Sequence, residues 1–370
     1  MGNVKAFLKD QPVLVIAFLA ALVTACIVPP DAEYLGYCNR TVLIELFALM
    51  TAVGGLRGAG VFEKATQLLL KKTGSVRRLG QIFMLLCFFS AMLVTNDVAL
   101  LTFVPLTLLI WDAVEDEKSR IFTIVLETAA ANLGSMLTPV GNPQNLFLYD
   151  AFSLTALDFV RITLPTGVLG LACLIGLTFL LPGTSCPAPD REVPPIRKKP
   201  AVGFGVLFAL CLAAVLRILP DWALLAASVV LTLGFDHRVL AKVDYALLAT
   251  FVCFFVFVGN IARIDTVRVI LSSVLEGREL LVGAVLSQGI SNVPAAVMLA
   301  GFTEHGAPLL LGVNIGGLGT IIASLASLIS FQLYRSAKGA DAGRYMAVFS
   351  AVNFALLAVL LAAAFLIPTA

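Results

Sequence analysis

The sequence predicts an all-α polytopic membrane protein built from two inverted-topology repeats, each with a re-entrant helical hairpin and a broken transmembrane helix. Three observations carry this expectation. Of the 370 residues, 59% are hydrophobic and only 13% charged, far from a soluble globular average. Apolar runs of membrane length recur along the whole chain. Two pairs of polar, Asn-centred breaks interrupt those runs, and the second pair repeats the first.

Nine stretches are candidate spans: 12–29, 41–56, 121–149, 159–181, 201–219, 221–234, 243–259, 307–334 and 343–367. Their apolar runs approach the roughly 20 residues a helix needs to cross about 30 Å of hydrocarbon. Stretches 79–111 and 280–303 each carry a polar break near the middle, which predicts re-entrant hairpins instead of spans. The polar stretch from Thr184 to Pro200 holds five prolines and Arg197-Lys198-Lys199, the pattern of a solvated, proline-stiffened linker. The expected organisation is a first repeat over 1–183, a cytoplasmic linker over 184–200, and a linking helix with the second repeat over 201–370. Starting from Arg40 and from Asp244, Phe47 falls on Phe251 and Gly55 on Gly259 without a gap. A charged amphipathic segment follows in both halves, 57–74 and 261–278, as expected of helices lying along the interface.

Threaded with a cytoplasmic N-terminus, nine spans and two self-returning hairpins, the cytoplasmic segments hold nineteen of the 25 Lys and Arg. That positive-inside bias predicts a cell (inner or plasma) membrane protein with its C-terminus outside. An odd number of spans before the second half inverts it. Val23-Thr24-Ala25-Cys26 has the form of a lipoprotein cleavage box, but a polytopic chain needs that helix as its first span. The seven cysteines form no CxxC pair or metal spacing, and His237 and His305 lack catalytic neighbours. With no zinc-protease helix, nucleophile elbow or phosphate loop, no enzymatic role is expected. No nucleic-acid partner is expected either.

The first pair of breaks is Thr95-Asn96-Asp97 and then Asn132-Leu133-Gly134-Ser135-Met136-Leu137-Thr138, continuing through Gly141-Asn142-Pro143-Gln144-Asn145. The second is Ser291-Asn292-Val293 and then Asn314-Ile315-Gly316-Gly317-Leu318-Gly319-Thr320, continuing through Ser324 and Ser327. Without a gap, Asn132 falls on Asn314, Gly134 on Gly316, Thr138 on Thr320, Asn142 on Ser324 and Asn145 on Ser327. In hydrocarbon, irregular backbone survives only where protein buries it or a wet cavity solvates it. Matching interrupted segments in two halves mark a transporter's midplane site.

Each hairpin tip exposes backbone N–H groups that favour negative charge, while unwound carbonyls and amide oxygens suit a small cation. The candidate substrate ligands are therefore Thr95, Asn96, Asn142, Ser291, Asn292, Thr320 and Ser324. The candidate cation-binding or coupling residues are Asn96, Asp97, Gly134, Thr138, Asn292, Gly316 and Gly317, with sodium the expected ion and no other cofactor. Asp97 reads equally as a proton or cation carrier and as a helix cap. Glu127, five residues before Asn132, is a candidate for lining the path.

These residues resemble the ion transporter superfamily over essentially the whole length of the chain. Asn132 to Asn145 is similar to the broken helix after the first hairpin in the dicarboxylate branch. Thr95-Asn96-Asp97 through Pro105 looks more like the arsenite-permease branch. The tips depart from the Ser-Asn-Thr of the dicarboxylate branch, because Asp97 and Val293 stand at the third position. The resemblance implies opposed hairpins at a midplane site in the lipid bilayer, with a homodimer as an open expectation. The expected function is secondary transport of a small anion coupled to sodium or protons. The alternatives are a sodium/proton antiporter without an anionic substrate, or an arsenite-type efflux permease.

Overall fold

Prolines and short polar side chains set where the helices of this chain begin. The computed structural model describes residues 11–62, 64, 74–111, 116–185 and 194–366. Helix α1 (Pro12–Ile27) opens on proline, and a short α2 (Tyr34–Tyr37) follows. Asn39 caps α3 (Arg40–Gly58) by accepting from the Val42 amide, and Ser75 caps α4 (Val76–Val94). After α5 (Asn96–Trp111), Asp116 caps α6 (Glu117–Ser135). A 3-10 turn (Pro139–Gly141) leads to α7 (Pro143–Ala151), capped by Asn142 with proline at its first position. Thr155 then caps α8 (Ala156–Thr178). These caps satisfy N–H groups that a helix start leaves without internal partners.

The second half follows. It runs through α9 (Lys198–Val215), α10 (Asp221–Phe235), α11 (Tyr245–Ala262) and the surface helix α12 (Asp265–Leu275). Then come α13 (Glu279–Ile290), α14 (Asn292–Ala300), α15 (Gly306–Ile315), α16 (Leu325–Arg335) and α17 (Ala342–Leu366). Among the described residues the fold is all-helical; the only strand-like feature is an isolated bridge between Ser75 and Ser185.

Among the described residues six helices are long and apolar enough to cross a membrane: α3, α4, α8, α9, α11 and α17. The chain is a multi-pass membrane protein, but the helices differ from the expected spans in two ways. The stretches expected as spans at 12–29 and 221–234 form helices of 16 and 15 residues. At about 1.5 Å per residue, each is shorter than the hydrocarbon core. Conversely, α4 is long enough to span alone, although its stretch was expected as one arm of a hairpin. The breaks fall where expected: 121–149 divides into α6 and α7, and 307–334 into α15 and α16. Most of the amphipathic segment 57–74 lies outside the described residues, as does 186–193 of the linker. Its counterpart is α12, which turns Val269, Ile270 and Val274 outward and buries Leu275.

Packing exchanges elements between the halves. Helix α1 packs on α11, and α9 packs on α3. Helix α5 packs on α16, and α14 packs on α7. Two apolar cores result. One joins α4, α5 and α6 to α16 and α17 around Phe83, Phe88, Tyr334 and Tyr345. The other joins α3, α7, α9 and α11 to α14 around Phe204, Phe251 and Ala295.

Candidate functional site

Each half contains two helices joined by a single non-helical residue, Thr95 between α4 and α5 and Ser291 between α13 and α14. The two hinges share one backbone conformation, φ 75° and ψ 149° at Thr95 against φ 74° and ψ 153° at Ser291. Positive φ at this ψ is nearly confined to glycine, and a side chain there costs about 1–3 kcal/mol. Two strained hinges in the same geometry require surroundings that hold both.

Those surroundings also match. Thr138 Oγ1 donates to the carbonyl of Met92, and Thr320 Oγ1 to that of Gln288 at 2.8 Å. Met92 and Gln288 each stand three residues before their hinge. A Cβ on Gly134 would lie 2.0 Å from the Phe88 carbonyl oxygen, and one on Gly316 would lie 2.7 Å from the Ala284 Cα. Phe88 and Ala284 are again equivalent, seven residues before the hinges. Gly134 lies within α6 and Gly316 caps α15, so both serve close approach of a hairpin arm, and the chain leaves the helix only after them.

At the centre, Asn132 and Asn314 each reach into the opposite half. Asn132 Oδ1 accepts from Ser324 Oγ at 2.9 Å, and its Nδ2 donates to Ser327 Oγ at 3.3 Å. Asn314 Oδ1 accepts from Asn142 Nδ2 at 3.4 Å, and its Nδ2 donates to Asn145 Oδ1 at 2.6 Å. The sequence register equates Asn142 with Ser324 and Asn145 with Ser327, so every one of these bonds has its counterpart. Asn96 joins the cluster by donating from Nδ2 to Asn132 Oδ1 at 3.1 Å. Asn96, Asn132, Asn142, Asn145, Asn314, Ser324 and Ser327 are all buried.

The second tip is held differently. The Asn292 amide N–H donates to the Ala323 carbonyl at 2.9 Å, and Ser291 Oγ reaches the same oxygen at 3.4 Å. A Cβ on Gly317 would lie 2.9 Å from Asn292 Nδ2, which places that side chain against the break. Asp97 follows Asn96 on α5, and its buried Oδ1 has no hydrogen-bond partner among the described residues. Glu127 is fully buried away from the breaks, on the seam between α5 and α6, where Thr107 Oγ1 donates to its Oε1. The structure thus gathers Asn96, Asn142 and Ser324 with Asn132 and Asn314. Thr138 and Thr320 face the hairpin arms, and Glu127 stands apart.

A family profile described as citrate transporter matches residues 7–308, which is most of the chain. The chain belongs to the citrate transporter family. Relatives of this citrate transporter family member include an uncharacterized transporter of Methanocaldococcus jannaschii, 34% identical over 86% of this chain and 88% of the relative. The inner membrane protein YbiR of Escherichia coli is 30% identical over 79% of each chain. A putative transporter named arsB from Dictyostelium discoideum is 29% identical over 39% of this chain and 25% of its own length. The protein is therefore a membrane transporter by family.

Some members of the site were absent from the sequence-based ligand set. Asn132 and Asn314 themselves, like Asn145 and Ser327, matched in register yet were not assigned roles, and Ser135 gave no signal because its counterpart is Gly317. Ser135 Oγ accepts from Asn142 Nδ2 at 3.0 Å, and the Ser135 carbonyl accepts from Asn145 Nδ2 at 3.0 Å. Gln288 braces the second break. Its Nε2 donates to the carbonyls of Gly316 at 2.8 Å and Leu318 at 3.0 Å, while its Oε1 accepts from the Thr320 amide. Side-chain amides thus already bond several of the carbonyls that the broken helices release.

Proposed function

We propose that this member of the citrate transporter family is a secondary active transporter that carries a small anion past the crossed asparagines, driven by a sodium or proton gradient. The carrying observation is the reciprocal bonding of Asn132 to Ser324 and Ser327 and of Asn314 to Asn142 and Asn145. Bonds that recur in this way are what two inverted repeats produce when their breaks meet across a pseudo-two-fold axis at the midplane. On this reading α4–α5 and α13–α14 are re-entrant hairpins, the N-terminus is cytoplasmic and the C-terminus is outside. Asn96 and Asn292 present amides to the anion, and Asp97 and the break carbonyls take the coupling cation. The family name makes citrate the first anion to test.

The test is uptake into proteoliposomes under an imposed sodium or proton gradient, without nucleotide. The expected result is gradient-dependent accumulation of citrate or another small anion. Uptake that requires ATP and that no ion gradient can replace overturns the proposal. A second reading, sodium/proton antiport without an anionic substrate, is favoured by Asp97, a carboxylate with a buried, unpartnered oxygen. Proton release on sodium addition in the absence of any candidate anion selects that reading.

A further inference from the structure

Glu127 is buried beyond any need of the crossed-asparagine site. Helices α5 and α6 pack against each other and bury four side chains with polar atoms: Thr107 and Glu127 meet between them, while Trp111 lies against Phe83 and Thr123 against Gly80 of α4. Thr107 and Trp111 stand one turn apart on α5, and Thr123 and Glu127 one turn apart on α6. Thr107 Oγ1 donates to Glu127 Oε1 across the two helices. Among the described residues, three of the four side chains carry a buried polar atom without a hydrogen-bond partner: Trp111 Nε1, Thr123 Oγ1 and Glu127 Oε2. Native interiors pair most buried polar atoms, so three unpaired ones close together call for an explanation.

The surroundings of Glu127 supply no positive charge among the described residues. Cys87 faces it from α4, Thr107 from α5 and Tyr345 from α17. From α16, Ser330 bonds Thr128, the next residue along α6. Arg120, two turns back on α6, is engaged with Glu117. A buried carboxylate with one neutral donor is poorly compensated when ionised. A carboxylic acid there has a proton to donate, and Thr123 Oγ1, one turn back on α6, is an acceptor without a partner among the described residues. The second half has no equivalent device: Leu309 replaces Glu127, and Thr303, the counterpart of Thr107, donates at 2.9 Å to Glu279 on α13.

We infer that Glu127 is a proton-binding site, separate from the Asn96–Asp97 tip, whose occupancy sets the packing of α5 against α6. This deepens the transport proposal above and rests on it for its role in coupling. Helix α5 begins at the tip and α6 leads to Asn132 five residues later, so a change in the seam reaches both sides of the site. The proton is the only species exchanged; no covalent step is involved.

The test uses the full chain in lipid vesicles. With Trp222→Phe as background, Trp111 is the only tryptophan, since the sequence has two. The expected result is a pH-dependent change in Trp111 emission that Glu127→Gln abolishes. Infrared spectra should show a carboxylic acid C=O band that shifts in D2O and is absent from the same variant. With citrate as the probe, Glu127→Gln should lose proton-driven accumulation at least tenfold while retaining citrate exchange at equal pH. A Trp111 signal and infrared band unchanged by Glu127→Gln overturn the proton site. So does wild-type accumulation in that variant. If the unaltered protein moves no citrate, the transport proposal falls while the emission and infrared measurements still decide this one. If Glu127→Gln does not fold, Thr107→Val is the substitute: it should displace the infrared band, and an unmoved band overturns the assignment.

Discussion

Asn132 and Asn314 are the two side chains on which the site turns, because each fills both ends of its amide with partners from the opposite half. Replacing either by Ala strands buried partners, at a cost of about 1–3 kcal/mol per unsatisfied group. Asn314→Ala should therefore lower both the thermal midpoint and substrate affinity, the latter at least tenfold in a binding titration. Asp97→Asn separates its two roles. Asp97 lies inside the first turn of α5 and accepts no N–H among the described residues, so it is not a hydrogen-bonding cap. If it carries the cation, ion dependence of uptake disappears while anion binding remains; if its charge only complements the N-terminal end of α5, both stay near wild type. Gly134 tests close packing. A Cβ there meets the Phe88 backbone, which cannot swing aside as a side chain could, so Gly134→Ala should destabilise by more than about 2 kcal/mol. Gly205→Ala, with open space around it, should unfold at or above the wild-type temperature.

The elements whose ends matter most are the hairpin arms, which meet at a residue in a conformation suited only to glycine. Thr95→Gly should relieve about 1–3 kcal/mol of strain and return about 0.5–1 kcal/mol through unfolded-chain entropy. The expected net is a rise in thermal midpoint, and Thr95→Ala, which keeps a Cβ, should show none. Equal midpoints for the two variants would mean that Thr95 stores no strain. The same pair of substitutions at Ser291 should behave alike, since the two hinges differ by only a few degrees. Helix α12 belongs to a different class, because its exposed Val269, Ile270 and Val274 need a membrane surface to cover them.

For the whole molecule the testable property is orientation. In a cysteine-free background, Arg278→Cys should label from outside with a membrane-impermeant reagent, and Lys338→Cys only after the membrane is opened. Both labelling from one side would break the inverted threading. The positive-inside count rests on it, as does the pseudo-two-fold reading of the crossed asparagines.

The sequence by itself determined the class of protein, the positions of all four breaks and the register that relates them. Apolar runs and helix-breaking residues are local quantities, so composition and spacing suffice to read them. Thr138, Asn142 and Asn145 could be paired with Thr320, Ser324 and Ser327 before any bond was known, because repeated geometry constrains equivalent positions alike. Only the tertiary structure decided what each position does. It turned Thr138 and Thr320 toward α4 and α13, brought Gln288 against the second break, and set Thr107 of α5 against Glu127 of α6. Partners far apart in sequence meet only through helix packing, and a side chain's direction on a broken helix follows no fixed period once the helical repeat ends.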